Sequence, residues 1–199
     1  MNKLKDTTCY LAGPVELVDD CVSWRNALTP LLKNLGVNVW DPLNKPEWFV
    51  DRVGNLTPQD QRNDKLLLNN IVSDQLLDYQ QIMEAKDAGK RNDYVRKVCL
   101  RLVSACDFVI CRVAGPTIGT FEEICIANQQ NKPILFLSNN EDLDSCWRAA
   151  QFGNLGDDPR LIWFKSQDFL MDYLTNIDNG TELVNNLDWI FLKETGWTQ

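Results

Sequence analysis

CDFVICRVAGPTIGTFEEICIA, residues Cys106 to Ala127, changes character twice along its length. Phe108-Val109-Ile110-Cys111 is apolar, partly β-branched and short, as a buried strand should be. A turn cluster follows, Ala114 to Thr120, with Gly115, Pro116 and Gly119 in it. Phe121, Ile124, Cys125 and Asn128 then fall at the i, i+3, i+4, i+7 positions of a helix. Strand, Gly-containing turn and helix make half of a parallel α/β unit, whose turn lies at the carboxyl edge of the sheet, where ligands bind. Glu122 and Glu123 are expected in the first helical turn, which brings a carboxylate to that crevice. A second reading needs no chemistry. Thr120-Phe121-Glu122-Glu123 fits a capping box, and an acidic first turn suits the helix dipole.

Working outward, further strands are expected at residues 7–12, 37–40, 133–137 and 161–164, each a short apolar run closed by turn residues such as Gly13-Pro14 or Asp41-Pro42. Between them lie helical patterns. One covers about 20–34, with Val22, Ala27, Leu28, Leu31 and Leu32 inward, Pro30 kinking or breaking it, and Gly36 as its C-cap. Residues 43–60 read as a long loop of the lid or binding kind. A helix over 59–88 is expected to break at Gly89-Lys90 and to resume over 93–105, with Val95, Val98, Leu102 and Val103 on one face. Further helices are expected at 141–151, 167–176 and 181–193. Strands alternating with helices give an α/β fold: a flavodoxin-like (Rossmann-like) five-stranded parallel sheet, order 2-1-3-4-5, with helices on both faces. Residues 1–199 form one domain, with a helical insertion at about 59–105. The switch point between strands 1 and 3 would set Gly13-Pro14 opposite Thr117–Glu123.

Composition narrows the chemistry. The net charge is −8 and no basic run interrupts it, which argues against nucleic acid as a partner and leaves a nucleoside or small nucleotide open. The chain has no histidine, so Ser-His and Cys-His mechanisms are excluded and acid–base work falls to Asp, Glu, Tyr or water. Its seven cysteines are odd in number and lack a CxxC pair; they read as reduced core residues, and no metal site is expected. The first residues lack an apolar signal region and no run reaches membrane length, so the expectation is a soluble, cytoplasmic protein without a membrane partner.

Several segments, in this order, resemble the nucleoside 2-deoxyribosyltransferase family, including its nucleoside and nucleotide N-glycosidase relatives. They are Tyr10-Leu11-Ala12-Gly13-Pro14, Trp24-Arg25 leading a helix, Gly36-Val37 with Asp41-Pro42, Cys106-Asp107-Phe108-Val109-Ile110, Gly119-Thr120-Phe121-Glu122-Glu123 with Ala127, and Lys132-Pro133-Ile134. The match covers residues 8–45 and 93–137. Its most specific part is the G-T-x-x-E-I-x-x-A run from Gly119 to Ala127.

The resemblance implies a glutamate nucleophile that attacks the anomeric carbon of a 2′-deoxynucleoside or its monophosphate, with no cofactor. By position that glutamate is Glu123, four residues after Gly119 and four before Ala127, with Glu122 a solvated or capping neighbour. The helix N-terminus would favour the ionised form of Glu123. Tyr10 resembles the tyrosine that hydrogen-bonds the nucleophile; its other reading is a core tyrosine at a strand end. Gly13, Pro14, Asp41, Asn44, Cys99, Thr117, Gly119 and Thr120 would border the substrate, with Trp24 and Trp48 as candidates to stack on a base. The resemblance also implies a homo-oligomer, a dimer or larger, whose neighbour completes the site; Trp189, Phe191 and Trp197 would suit such burial or could cover the sheet. Two positions depart from the pattern. Cys99 stands where the family carries an aspartate that helps the leaving base, Asp93 lying a turn and a half earlier. Thr117 leans toward the serine of phosphate-accepting relatives, whereas Glu16, Asp19 and Asp20 stand where those relatives place Ser and Arg. Two readings therefore follow: an enzyme at the N-glycosidic bond, or a catalytically weakened nucleotide-binding protein on the same scaffold.

Overall fold

The computed structural model describes residues 2–15, 20–44, 63, 79–114, 117–138 and 158–192. The expected 43–60 loop beyond Asn44, most of the expected 59–88 helix before Tyr79, the 141–151 helix, Glu16, Asp19, Trp48 and Trp197 lie outside the described residues. Within them are five strands, β1 (Thr8–Ala12), β2 (Asn38–Trp40), β3 (Phe108–Arg112), β4 (Ile134–Leu137) and β5 (Leu161–Phe164). All neighbours pair in parallel, in the order β2-β1-β3-β4-β5. The helices are α1 (Ser23–Asn34), α2 (Tyr79–Ala105), α3 (Ile118–Gln129) and α4 (Gln167–Asn179).

Alternation along the strands sends consecutive side chains to opposite faces. Cys9 and Leu11 of β1, with Phe108 and Ile110 of β3, meet Leu28 and Leu32 of α1 and Leu170, Leu174 and Ile177 of α4. Tyr10 and Ala12, with Val109 and Cys111, meet Cys99 and Val103 of α2 and Ile124 and Ala127 of α3. The helices thus cover both faces, α1 and α4 on one and α2 and α3 on the other.

Three polar contacts set the ends of these elements. Asp107 accepts the Thr8 amide at 2.7 Å and fixes the entry to β1 beside β3. Lys132 donates to the carbonyls of Val103 and Ser104, both at 2.6 Å, closing the C-terminus of α2. Gly36, with φ +77°, takes the left-handed conformation after α1. Its amide donates to Lys33 O and that of Val37 to Leu32 O, the Schellman closure.

Four local expectations are corrected. In α1 the buried residues are Trp24, Arg25, Leu28 and Leu32, whereas Val22, Ala27 and Leu31 are exposed. The inward stripe is rotated by the burial of Arg25, a residue whose charge argues for the outside until its partners are seen. The helix runs through Pro30, which is exposed. Helix α2 also runs through Gly89-Lys90. A helical glycine costs only about 1 kcal/mol relative to alanine, and Ala85 and Ala88, in the turn before it, are buried. Residues 181–192 form turns instead of a helix. Gly180, at φ 78°, ends α4, and the Asn185 side chain accepts the Leu187 amide at 3.0 Å, a local turn that competes with helix. These turns deliver Trp189 to the core, where its ring lies 5.8 Å from that of Phe108.

Candidate active site

The start of α3 also differs from the expectation, and this changes the character of Glu123. The helix begins at Ile118, with Thr117 as N-cap in extended conformation and no side-chain cap bond. Thr120 is therefore the third helical residue, not the cap, and neither glutamate lies in the first turn. The capping-box reading fails. So does the expected support from the helix dipole, which fades within that turn. The inward stripe of α3 is Glu123, Ile124 and Ala127; Phe121, Cys125 and Asn128 are only half-buried. A carboxylate occupies a core position on this stripe, facing the sheet.

Tyr10 meets it there. Its hydroxyl, fully buried at the middle of β1, donates to Glu123 Oε1 at 2.6 Å. Burial, with Glu123 and Cys99 beside it, pushes the phenol pKa well up, so the hydroxyl keeps its proton and remains a donor. Burial pushes the Glu123 carboxyl up to about 7, while the Tyr10 hydrogen bond and the Arg25 charge pull it down. Glu123 therefore exchanges its proton near neutrality. Without Tyr10 and Arg25 the ionised form would be reached only at higher pH.

Arg25, in the Trp24-Arg25 segment that carries part of the resemblance, stands behind this pair although the sequence alone does not mark it as a site residue. It is 1% exposed. Its guanidinium donates to Gly13 O at 3.2 Å and Cys21 O at 2.5 Å, and its Nε stands 3.2 Å from Asp41 Oδ1. It also lies 4.5 Å from the centre of the Trp24 ring, so Trp24 serves the cation in this structure. Arg25 ties β1, α1 and the end of β2 together behind Glu123. The signal that could have found it is a lone cation in phase with Leu28 and Leu32.

A cavity of about 740 Å³ opens at the carboxyl edge, between the ends of β1 and β2 and the helices α2 and α3. Gly13 and Pro14 border it on the β1 side. Asp93, Arg96 and Cys99 face it from α2, and Thr117, Gly119, Thr120, Glu122 and Glu123 from α3. The volume suits a nucleoside-sized ligand. Gly13 sits at a close approach: a Cβ there would meet the Trp24 ring at 3.0 Å, so the ring would have to give by a few tenths of an ångström. Gly119 is open, with nothing within 4 Å of an added Cβ.

The remaining candidates divide. Cys99 is buried on the cavity wall beside the Tyr10 hydroxyl. Asp41 does not line the cavity; it holds Arg25 and accepts the Leu43 amide at 2.9 Å. Asn44 is exposed and also off the cavity wall. Glu122 is bound to Arg96 across the α2–α3 contact, with Arg96 Nε 2.7 Å from Glu122 Oε2 and a second bond from Nη2 to Oε1. Among the described residues no cluster of His, Cys, Asp or Glu is placed to hold a metal ion, and no helix is long and apolar enough to cross a membrane.

No protein-family model matches this sequence, and no curated protein does. Among solved structures, the chain is similar to a conserved protein from Enterococcus faecalis V583, at 15% identity and a TM-score of 0.45, over 86% of this chain and 99% of that one.

Proposed function

We propose that the protein cleaves or transfers at the N-glycosidic bond of a 2′-deoxynucleoside or its monophosphate, with Glu123 as nucleophile. The observation that carries this reading is a carboxylate at a core position, hydrogen-bonded by a buried tyrosine and open to a nucleoside-sized cavity. A structural glutamate gains nothing from such a place, since burying it costs free energy that exposure would avoid. A nucleophile gains from it: desolvation leaves a basic carboxylate, and the Tyr10 hydrogen bond orients it.

The steps follow those of retaining glycosidases. Ionised Glu123 forms a bond from its free oxygen to C1′ as the C1′–N bond breaks and its electrons pass to the base. Water or a second base then attacks C1′ from the opposite side, and Glu123 leaves as the carboxylate. With water, oxygen goes to C1′ and a proton to the departed base; with a second base, the proton lost by the acceptor balances the one gained by the first. Two displacements retain configuration. The cavity's residues act by binding, orientation and exclusion of water, and no cofactor enters. A homo-oligomer is part of the same proposal, through the resemblance alone.

Cys99 favours a second reading, a nucleotide-binding protein that turns its ligand over slowly or not at all. A thiol, with an ordinary pKa of about 8.5, replaces the carboxyl that would share a proton with the leaving base. One experiment separates the two. The purified protein is incubated with a panel of deoxynucleosides and monophosphates, with and without acceptor base, and with a chelator present. Release of free base by wild type and its absence in Glu123→Gln supports the enzyme. Saturable binding with no release by wild type, restored by Cys99→Asp, supports the weakened scaffold. Release at equal rates by wild type and Glu123→Gln would refute the nucleophile.

A further inference from the structure

The charges on the cavity wall differ in how far they are available to a ligand. Arg96 is the one cation among the described residues that line it, against three carboxyl groups, Asp93, Glu122 and Glu123. That cation is already engaged. The Nε–Nη2 edge of the Arg96 guanidinium is taken by the two oxygens of Glu122, a bidentate pair that neutralises the cation and uses the geometry a phosphate would need. On the same helix Lys97, which does not line the cavity, is paired with Asp93 one turn away.

Among the described residues, a phosphate entering this cavity would meet a cation neutralised by Glu122, or would have to displace Glu122 to pair with the same edge of Arg96. It would then share the space with a freed carboxylate, beside Asp93 and Glu123. The pair is partly exposed, 53% at the Arg96 side chain and 30% at Glu122, so it contributes little to folding. Its effect falls on what may share the cavity with it. We infer that Glu122 is a specificity-determining residue: by occupying Arg96 it makes the cavity select an unphosphorylated deoxynucleoside over the corresponding 5′-monophosphate. This rests on the proposed glycosidic function and names its substrate class. Thr117, on the same wall, carries no charge to offset the carboxylates.

The test measures equilibrium binding of the four common 2′-deoxynucleosides and their four 5′-monophosphates by calorimetry. A Glu123→Gln background prevents turnover during the titration. With Glu122 intact, the best nucleoside should bind at least about tenfold more tightly than its monophosphate, the scale of one charge-assisted interaction. Glu122→Gln should shift that ratio toward the monophosphate by about tenfold or more, and adding Arg96→Ala should reverse the shift. Equal or tighter binding of the monophosphate with Glu122 intact would overturn the inference, as would an unchanged ratio in Glu122→Gln; either leaves the glycosidic function standing. Binding of none of the eight would defeat the functional reading and this inference together.

Discussion

The two faces of one sheet are built for different ends. The face under α1 and α4 is filled by large side chains: Leu11, Phe108, Ile110, Leu28, Leu32, Leu170, Leu174 and Trp189 are fully or nearly fully buried there. Phe108 stacks on Phe191 at 5.9 Å between ring centres. The face under α2 and α3 mixes Val109, Ile124 and Phe136 with Ala12, Ala127, Cys99, Cys106 and Cys111. Among these small residues Cys99 lines the cavity at the carboxyl edge, beside Tyr10 and on the same wall as Glu123. One strand serves both faces. In β1, Cys9 and Leu11 pack one way while Tyr10 points the other, so stability and chemistry are separated by a single step in register.

The sharpest way to test that division is to remove the working group from the second face. Glu123→Gln should lower base release by on the order of 10³-fold or more, as loss of a nucleophile does. The same substitution should raise stability at alkaline pH. A buried carboxyl whose pKa is raised from 4.5 to about 7 favours the folded state fully below pH 4.5 and loses that contribution as pH rises through 7. Wild type should therefore be about 3 kcal/mol less stable than Glu123→Gln at pH 8 and nearly equal to it at pH 4. Urea melts at the two pH values would show it; an identical gap at both would break the link between burial and function.

On the packing face the expectation reverses. Phe108→Ala should cost about 3–5 kcal/mol in the same melts, as large-to-small changes in a full core do. At temperatures where it stays folded, base release should be close to wild type. A large rate loss in the folded variant would mean that the faces are coupled.

Tyr10→Phe is a smaller change at the site itself. The Tyr10 hydrogen bond holds the Glu123 carboxyl down, so its loss should move the acid limb of the pH–rate profile to higher pH. A limb that stays in place would remove Tyr10 from the mechanism. The smallest effect is expected at Gly119. Since a Cβ there meets nothing within 4 Å, Gly119→Ala should leave stability unchanged or raise it by up to about 1 kcal/mol. Ligand affinity should fall, because the added methyl stands on the cavity wall. Loss of stability would contradict the open geometry.

The strands were legible because each is a short apolar run between turn residues, a pattern that survives without knowledge of its neighbours. The sheet order followed from their alternation with helices. What was hidden depended on where each element starts and on what it packs against. Arg25 looks solvent-exposed until Gly13, Cys21 and Asp41 are brought to it. Thr120 looks like a cap because the real start of α3 is set by the extended Thr117. Gly89 looks like a break because a single glycine's cost is small beside the packing of a long helix, which no local pattern reveals. Glu123 itself was placed by motif spacing. Its burial, which gives it a pKa near neutrality, came only with the sheet.

The mechanism turns on a covalent bond between Glu123 and the sugar. The direct measurement is to quench wild-type protein during turnover of the best deoxynucleoside, digest it, and read the mass of the peptide containing Glu123. A 2-deoxyribosyl adduct on Glu123, absent from Glu123→Gln and discharged on adding acceptor base, is the expected result. Steady base release with no adduct, or with the sugar attached to another residue, would contradict the account.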